Sequence, residues 1–158
     1  MKSKVYFTKD ISSDGLMKLY KTLGFELKGN VCIKVHSGEP GNQNFLNADF
    51  WKDLINEVDG TVVECNTAYD GKRMKSADHL ETLKLHGWSQ FKIDLLDEEG
   101  PDLVLDIEKG KVIKKNYVGK NLVKYDSMLV LSHFKGHPMG GYGGALKQLS
   151  IGVASSYG

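Results

Sequence analysis

The alternation of apolar and polar residues along the chain predicts strands and helices in turn. Short apolar runs rich in β-branched residues predict strands, and apolar residues three or four positions apart predict amphipathic helices. The predicted strands are Lys4–Thr8, Asn30–Val35, Thr61–Cys65, Phe91–Ile93 and Ser127–Ser132. Three helices are predicted between them, from Ser12 to Gly24, from Asn47 to Asp59, and from Met74 to Gly87.

Strands that alternate with helices are typical of an α/β fold with a mainly parallel sheet. We therefore predict a three-layer (αβα) arrangement, with helices on both faces of the sheet. Leu103–Ile107 and Val112–Val118 alternate polar and apolar residues on either side of a turn, which predicts a β-hairpin insertion near 103–118. A chain of 158 residues is long enough for one domain with its own core, so we assign residues 1–158 to a single α/β domain.

Composition and charge narrow the classes of partner and compartment. The net charge of +1 indicates no strongly basic surface, so we expect neither nucleic acid nor membrane as a partner. No apolar run is long enough to cross a membrane, and the N-terminal residues lack the apolar segment of a signal peptide. Cys32 and Cys65 lie in strand-like runs, so we expect buried free thiols in a cytoplasmic protein. Two cysteines alone cannot ligate an iron–sulphur cluster.

Polar loops follow three of the predicted strands. In a parallel sheet these loops emerge at the carboxyl edge, so we expect their side chains to meet there and bind a small anionic ligand or cofactor. The ligand-binding candidates in the first two loops are His36, Glu39, Asn66, Thr67, Tyr69 and Arg73, with Asp70 as a further carboxylate. His133, Lys135 and His137 follow the last strand. His79 and His86, on or near the third helix, are instead expected to pack or to face solvent.

A glycine-rich turn after the last strand is the third part of this predicted site. Its ligand-binding candidates are Gly140, Gly141, Gly143 and Gly144. Glycine amides followed by a helix N-terminus can bind a phosphate, and the helical stretch here contains Lys147. The P-loop pattern needs a glycine directly before the lysine, but Leu146 precedes Lys147. The dinucleotide pattern G-x-G-x-x-G, counted from Gly141 and Gly143, also needs its third glycine at Leu146, so neither pattern is present. The turn is therefore either an anion site without a standard fingerprint or a tight turn that packs the helix on the strand.

His133, His137 and Lys147 are the candidates for chemistry. The two histidines are four positions apart, but Gly136 and Pro138 disfavour a helix, so a helical metal pair is excluded. A loop could still bring both rings to a metal ion, or both could contact a substrate. The lysine could bind an anion or, with a lowered pKa, act as a nucleophile.

Three stretches of the sequence resemble, in order, the signature blocks of a domain-of-unknown-function family. The blocks are KVHSGEPGN (34–42), ECNTAYDGKR (64–73) with DHLETLKLHGW (78–88), and LSHFKGHPMGGYGGALKQLSIG (131–152). Members of that family are usually labelled uncharacterised iron–sulphur centre proteins, are typically longer, and often contain a ferredoxin-like module. The resemblance implies that this chain is the N-terminal part of a longer family architecture. It also implies a redox context, with an iron–sulphur domain or a second chain as partner.

A shorter block is similar to the lactate racemase family. His137, the glycine-rich turn and Lys147 match the block in which that family's lysine tethers a nickel-pincer nucleotide and its histidines contact metal and substrate. The serine usual in that turn is absent here, because Tyr142 is followed directly by Gly143. The similarity implies an isomerase in which His133 and His137 act as an acid–base pair or as metal ligands.

The sequence is compatible with three functions, and it does not identify a cofactor. The first is an α/β domain of the iron–sulphur centre type that binds an anionic ligand or cofactor in a redox context. The second is an isomerase- or racemase-like enzyme that uses the histidines and the lysine of the glycine-rich loop. The third is a non-catalytic binding or scaffold half-domain, whose open sheet edge would pair with a second chain.

Overall fold

The structure, a computed structural model, describes residues 2–100, 103–138 and 140–157. The helices are α1 (Ser13–Leu23), α2 (Ala48–Val58), α3 (Ser76–Leu85) and α4 (Ala145–Ser150), with 3₁₀ turns at Trp88–Gln90 and Lys120–Lys124. The strands are β1 (Val31–Lys34), β2 (Thr61–Glu64), β3 (Ile93–Leu95), β4 (Leu103–Asp106), β5 (Lys115–Val118), β6 (Ser127–Val130), β7 (Gly136–His137) and β8 (Gly141–Tyr142). None of the described helices combines the length and the apolar character that crossing a membrane would need.

The central sheet has four parallel strands in the order β3-β2-β1-β6. β1 lies in its middle, and the last residue of that strand, Lys34, pairs in register with Val63 of β2 and Val130 of β6. Because the strands are parallel, β1, β2 and β6 all end at the same edge. The predicted mainly parallel sheet is therefore confirmed. The predicted hairpin insertion is confirmed as well, since β4 pairs antiparallel with β5.

Each face of the sheet packs against its own hydrophobic core. α1, α2 and α3 cover the first face, where Ile33 and Trp51 are buried. The second face is covered by the 3₁₀ turn Lys120–Lys124, the end of β5 at Val118 and the segment around Val153. The three-layer α/β fold thus has a helical layer on one face and a layer of hairpin and 3₁₀ segments on the other.

The boundaries of the first two helices follow from capping residues in the sequence. α1 begins after Ser12, whose hydroxyl accepts a hydrogen bond from a first-turn amide at 3.1 Å, and ends at Gly24 in the left-handed conformation. α2 begins after Asn47, whose side chain accepts a bond from a first-turn amide at 3.0 Å, and ends at Asp59. Both helices lie where the sequence predicts them.

Two predicted strands differ from the observed ones. The prediction of a strand at Lys4–Thr8 is wrong, and Val5 and Phe7 are 88% and 81% exposed. A β-branched run becomes a strand only where a neighbouring strand completes its hydrogen bonds, and the described sheet ends at β3 on one side and at β6 on the other. The strand predicted at Phe91–Ile93 lies two residues later, because the amide of Phe91 closes the preceding 3₁₀ turn.

Candidate functional site

A cavity of about 740 Å³ opens at the carboxyl edge of the sheet. It lies where the strand order changes direction, since the chain passes from β1 to β2 on one side and returns through β6 to the other side of β1. Open α/β sheets bind ligands at such a switch point, because the loops after the two strands diverge and leave a crevice. His36 follows β1 and His133 follows β6, and their stacked rings lie 6.3 Å apart between centroids.

Most of the residues proposed from the sequence line this cavity. They are His36, Glu39, Asn66, Thr67, Tyr69, Arg73, His133, His137, Gly143, Gly144 and Lys147. Gly140, Gly141 and Asp70 are not among the lining residues. The three loops thus meet at one edge of the sheet, and the ligand role of each side chain stays a prediction.

A buried ion pair at the ends of β1 and β2 forms part of the cavity lining. Lys34 Nζ lies 2.5 Å from Glu64 Oε2, and each side chain is 3% exposed. Glu64 also accepts hydrogen bonds from the Ser37 amide at 3.0 Å and from Arg73 at 3.2 Å. Burial raises the pKa of Glu64, but the two neighbouring cations outweigh burial and lower this pKa to about 2. Glu64 is therefore an anion at physiological pH.

Arg73 connects this ion pair to the second loop and to α3. Its guanidinium donates to Glu39 Oε1 at 2.8 Å, and the Tyr69 hydroxyl donates to the same oxygen at 2.9 Å. Its Nε donates to Nε2 of His79 at 3.1 Å. Because an arginine Nε–H can only donate, the histidine proton lies on Nδ1, which donates to Asn66 Oδ1 at 3.1 Å. Burial and the adjacent guanidinium lower the pKa of His79 to about 4, so this ring is neutral.

Lys34, Glu64 and His79 belong to this network, but the site predicted from the sequence does not include them. The sequence does contain a signal for the first two, which is a charged residue at the end of an otherwise apolar strand run, VCIK and TVVE. Charged residues are rarely buried unless paired, so two such residues of opposite sign on neighbouring strands indicate a buried pair. The sequence predicts that His79 packs or faces solvent, and the structure shows it fully buried against Arg73.

Lys135 and Lys147 line the cavity and form no ion pair within the described ranges. Lys135 donates to Nε2 of His36 at 3.4 Å. Burial, and then this ammonium, lower the pKa of His36 to about 4, so the ring is neutral at neutral pH. Burial, and then the ammonium of Lys135, also lower the pKa of Lys147. Nδ1 of His133 is buried and has no hydrogen-bond partner in the described part of the chain.

The charged side chains around the cavity leave a positive excess. Its ionised lining residues are Lys34, Glu39, Glu64, Arg73, Lys135 and Lys147. The two carboxylates are paired with Lys34 and Arg73, so Lys135 and Lys147 contribute two uncompensated positive charges. Cations that are half removed from water interact strongly with an anion, because the surrounding dielectric is low.

The glycine-rich turn folds into the small β7–β8 hairpin, and its amides are used within the hairpin. The Gly140 amide donates to Nδ1 of His137 at 3.1 Å. The Gly143 amide donates to the carbonyl of Lys135, and the Tyr142 amide donates to the carbonyl of Gly140. These three amides therefore already have acceptors within the hairpin, and the predicted ligand role of the glycines stays a prediction. The hairpin places Lys135 before it and α4 after it.

Metal and thiol chemistry have few candidates in the described residues. No group of three or more histidine, cysteine or carboxylate side chains in this part of the chain is arranged to hold a metal ion. A metal role for His133 and His137 stays a prediction. Cys32 and Cys65 are free and buried, as expected from the sequence. Burial raises the pKa of Cys32 to about 11 and raises that of Cys65 as well, so both are neutral thiols.

Comparison with known families gives a match over most of the chain. A family model described as "Domain of unknown function (DUF362)" matches residues 31–158. This match includes β1, β2, β6 and the three loops that form the cavity. No curated protein and no solved structure shows a significant match.

Proposed function

We propose that this chain, which belongs to the DUF362 family, binds a small anionic ligand or cofactor in the cavity at the carboxyl edge of its sheet. One observation carries the proposal: Lys135 and Lys147 line a cavity of about 740 Å³ and have no acidic partner in the described residues. The position of the cavity at the switch point of a parallel sheet supports the proposal, since this is where α/β proteins bind ligands.

The buried network leaves these two lysines as the cations that meet the ligand. Arg73 is held by Glu39 and Glu64, so turning it toward a ligand would break its ion pairs with both carboxylates. The neutral ring of His36 and the unpaired Nδ1 of His133 add hydrogen-bonding groups beside the lysines. In this proposal the network keeps the loops in place, and Lys135 and Lys147 supply the charge.

The proposal is tested by titrating the ¹⁵N-labelled protein with inorganic phosphate and with pyrophosphate at constant ionic strength. We expect saturable shifts of amides between residues 132 and 147. Lys135→Gln and Lys147→Gln should each weaken binding about tenfold, the typical loss of one charge-assisted hydrogen bond. Lys52→Gln, on the exposed side of α2, is the control and should bind as the wild type does. Shifts that do not saturate, or equal affinities in all variants, would contradict the proposal.

The family resemblance extends this proposal to a redox context. Both cysteines are buried neutral thiols, so an iron–sulphur cluster would have to be held by a partner domain or by a second chain. The chain would then act as the N-terminal part of a longer architecture. Anaerobic isolation from the native host should give iron and acid-labile sulphide in a fixed ratio to this chain. Isolation without either would contradict the redox association.

A second candidate function is an isomerase- or racemase-like enzyme. It is favoured by the unpaired Nδ1 of His133 and the half-buried ammonium of Lys147 in the same cavity. His133 could move a proton, and Lys147 could tether a cofactor. His137 could contribute through Nε2, since its Nδ1 accepts the amide of Gly140. An adduct on Lys147 in the intact mass of native-host protein is expected, and an unmodified mass with no bound metal would contradict this function.

A further inference from the structure

We propose that the ligand of this cavity is an amphipathic anion, with its charged head at Lys135 and Lys147 and an apolar body against an aliphatic wall. This inference rests on the proposed anion site and adds the chemical class of the ligand. The aliphatic wall consists of four lining residues: Ile107, Ile113, Leu149 and Ile151.

The side chains of the aliphatic wall lie at the cavity and outside both hydrophobic cores. Ile113 and Ile151 are 64% and 66% exposed, and Leu149 is 50% exposed. Single exposed aliphatic residues are ordinary, but four that line one cavity form a surface that a ligand can remove from water. Two of them flank the turn between β4 and β5, and two lie at the end of α4, so separate elements build the wall.

The wall and the cations are close in the fold. Lys147 is part of α4 and precedes Leu149 and Ile151 by two and four residues. Head and body of one small molecule can therefore contact the same short segment. Polar groups that fix the orientation of a ligand, next to apolar groups that supply contact area, are the usual composition of a small-molecule site.

The size of the cavity also favours a ligand with a body. A volume of about 740 Å³ lies within the range of sites for drug-sized molecules, roughly 300–1,000 Å³. Inorganic phosphate takes up the space of only a few water molecules, at about 30 Å³ each. A simple anion would therefore leave the aliphatic wall in water, whereas an anion with an alkyl or aryl body would cover it.

The chain offers matched controls for each part of the wall. Val112 precedes Ile113 in the hairpin turn, is 91% exposed and does not line the cavity. Leu146 lies one turn before Leu149 on α4, is 71% exposed and does not line the cavity either. Val112, Ile113, Leu146 and Leu149 are all at least half exposed, so we expect serine substitutions at these positions to preserve the fold.

The test compares inorganic phosphate, n-hexyl phosphate and n-octanoate by calorimetric titration. We expect hexyl phosphate to bind at least about tenfold tighter than phosphate, because each fully covered methylene contributes about fourfold. Ile113→Ser and Leu149→Ser should each remove a large part of this gain and leave phosphate binding unchanged. Val112→Ser and Leu146→Ser should keep the gain. Octanoate has one more alkyl carbon than hexyl phosphate, which alone contributes about fourfold. Octanoate binding tighter by clearly more than this factor would identify a carboxylate head, and tighter binding of hexyl phosphate would identify a phosphate head.

The outcomes separate this inference from the proposed function. Equal affinity for phosphate and hexyl phosphate overturns the amphipathic ligand and leaves the anion site in place. A gain that survives both wall substitutions overturns the assignment of the wall. Failure of phosphate, hexyl phosphate and octanoate alike to bind overturns the anion site, and the inference with it.

Discussion

The ion pair between Lys34 and Glu64 positions the loops of the cavity more than it stabilises the fold. Removing two charges from water costs several kcal/mol per ion, and their mutual attraction returns only part of this. The cost is offset here by further hydrogen bonds, since Lys34 donates to the carbonyl of Val35 at 2.8 Å and Glu64 accepts from the Ser37 amide and from Arg73. These contacts fix the chain directly after β1 and join it to β2.

Breaking this pair should destabilise the protein strongly. Glu64→Gln leaves the ammonium of Lys34 buried without its anion, so we expect a loss of about 3–5 kcal/mol in the free energy of unfolding. The double variant Lys34→Met with Glu64→Gln should lose less than the sum of the two single variants. The control is Lys92→Met, which removes an exposed pair with Asp59 and should have little effect. Urea unfolding is measured for the wild type, Glu64→Gln, Lys34→Met, the double variant and Lys92→Met. Equal stability of Glu64→Gln and Lys92→Met would contradict this role.

His79 should make the protein sensitive to mild acid. Its pKa falls from an ordinary value of 6.5 to about 4 in the folded protein, through burial first and then through Arg73. Between these pH values the unfolded chain binds more protons, so the contribution of His79 is complete above pH 6.5 and is lost as the pH falls through about 4. The loss amounts to about 3 kcal/mol.

The variant His79→Gln tests this, because glutamine can accept from Arg73 Nε and donate to Asn66 without titrating. Urea unfolding between pH 7 and pH 4 should show a smaller slope of stability against pH for this variant than for the wild type. His36 contributes a slope of the same sign, since its pKa is also lowered to about 4, so some dependence should remain. Identical slopes in the two proteins would contradict the assignment.

The β7–β8 hairpin depends on one glycine that orients α4. Gly144 has φ 70° and ψ −146°, a region that residues other than glycine rarely enter. A Cβ at this position would also overlap the hydroxyl of Tyr142. The direction in which α4 leaves the hairpin, and with it the position of Lys147, therefore rests on this residue.

Gly144→Ala should lower stability by about 1–3 kcal/mol and weaken phosphate binding, because α4 must shift to relieve the strain. Gly136→Ala, in the same hairpin, is the matched control, since Gly136 does not line the cavity, its φ is not positive, and an added Cβ would meet the carbonyl of Gly141 at an ordinary 3.8 Å. Thermal unfolding and phosphate titration of both variants give the two readouts. Equal binding by both variants would show that α4 does not depend on this conformation.

Local patterns were sufficient to predict α1, α2, β1 and β2, because each has its own cap or apolar run. The prediction of a strand at Lys4–Thr8 is wrong because a strand also needs a neighbouring strand to complete its hydrogen bonds, and no local pattern shows whether one is present. The Lys34–Glu64 pair depends on which strands are adjacent and in what register, and neither follows from residue spacing alone. The meeting of the loops at one edge could be predicted, because it needs only parallel strands.

The hairpin β4–β5 joins the second core at one end, through Leu103 and Val118, and the rest of it is largely exposed. Val118 pairs with Ala154 in an isolated bridge, and the Ser155 amide donates to the carbonyl of Tyr117 at 2.9 Å. Most residues of β4 are exposed, whereas β1 is buried along its whole length. Local opening has the lowest free energy where few apolar contacts are lost, so the hairpin should open more often than the central sheet.

Hydrogen exchange should therefore be fast in residues 103–118 and slow in residues 31–34 and 61–64 of the free protein. A ligand that covers Ile107 and Ile113 adds contacts to the closed hairpin only, so hexyl phosphate should slow exchange in the hairpin. In this proposal inorganic phosphate contacts the two lysines and not the wall, so it should leave exchange in the hairpin unchanged. Exchange followed by mass spectrometry on the three samples measures this difference, with the peptide of α2 as the internal control. Equal protection of the hairpin by both compounds would mean that binding at Lys135 and Lys147 alone closes it, and the wall would then have no part in ligand recognition.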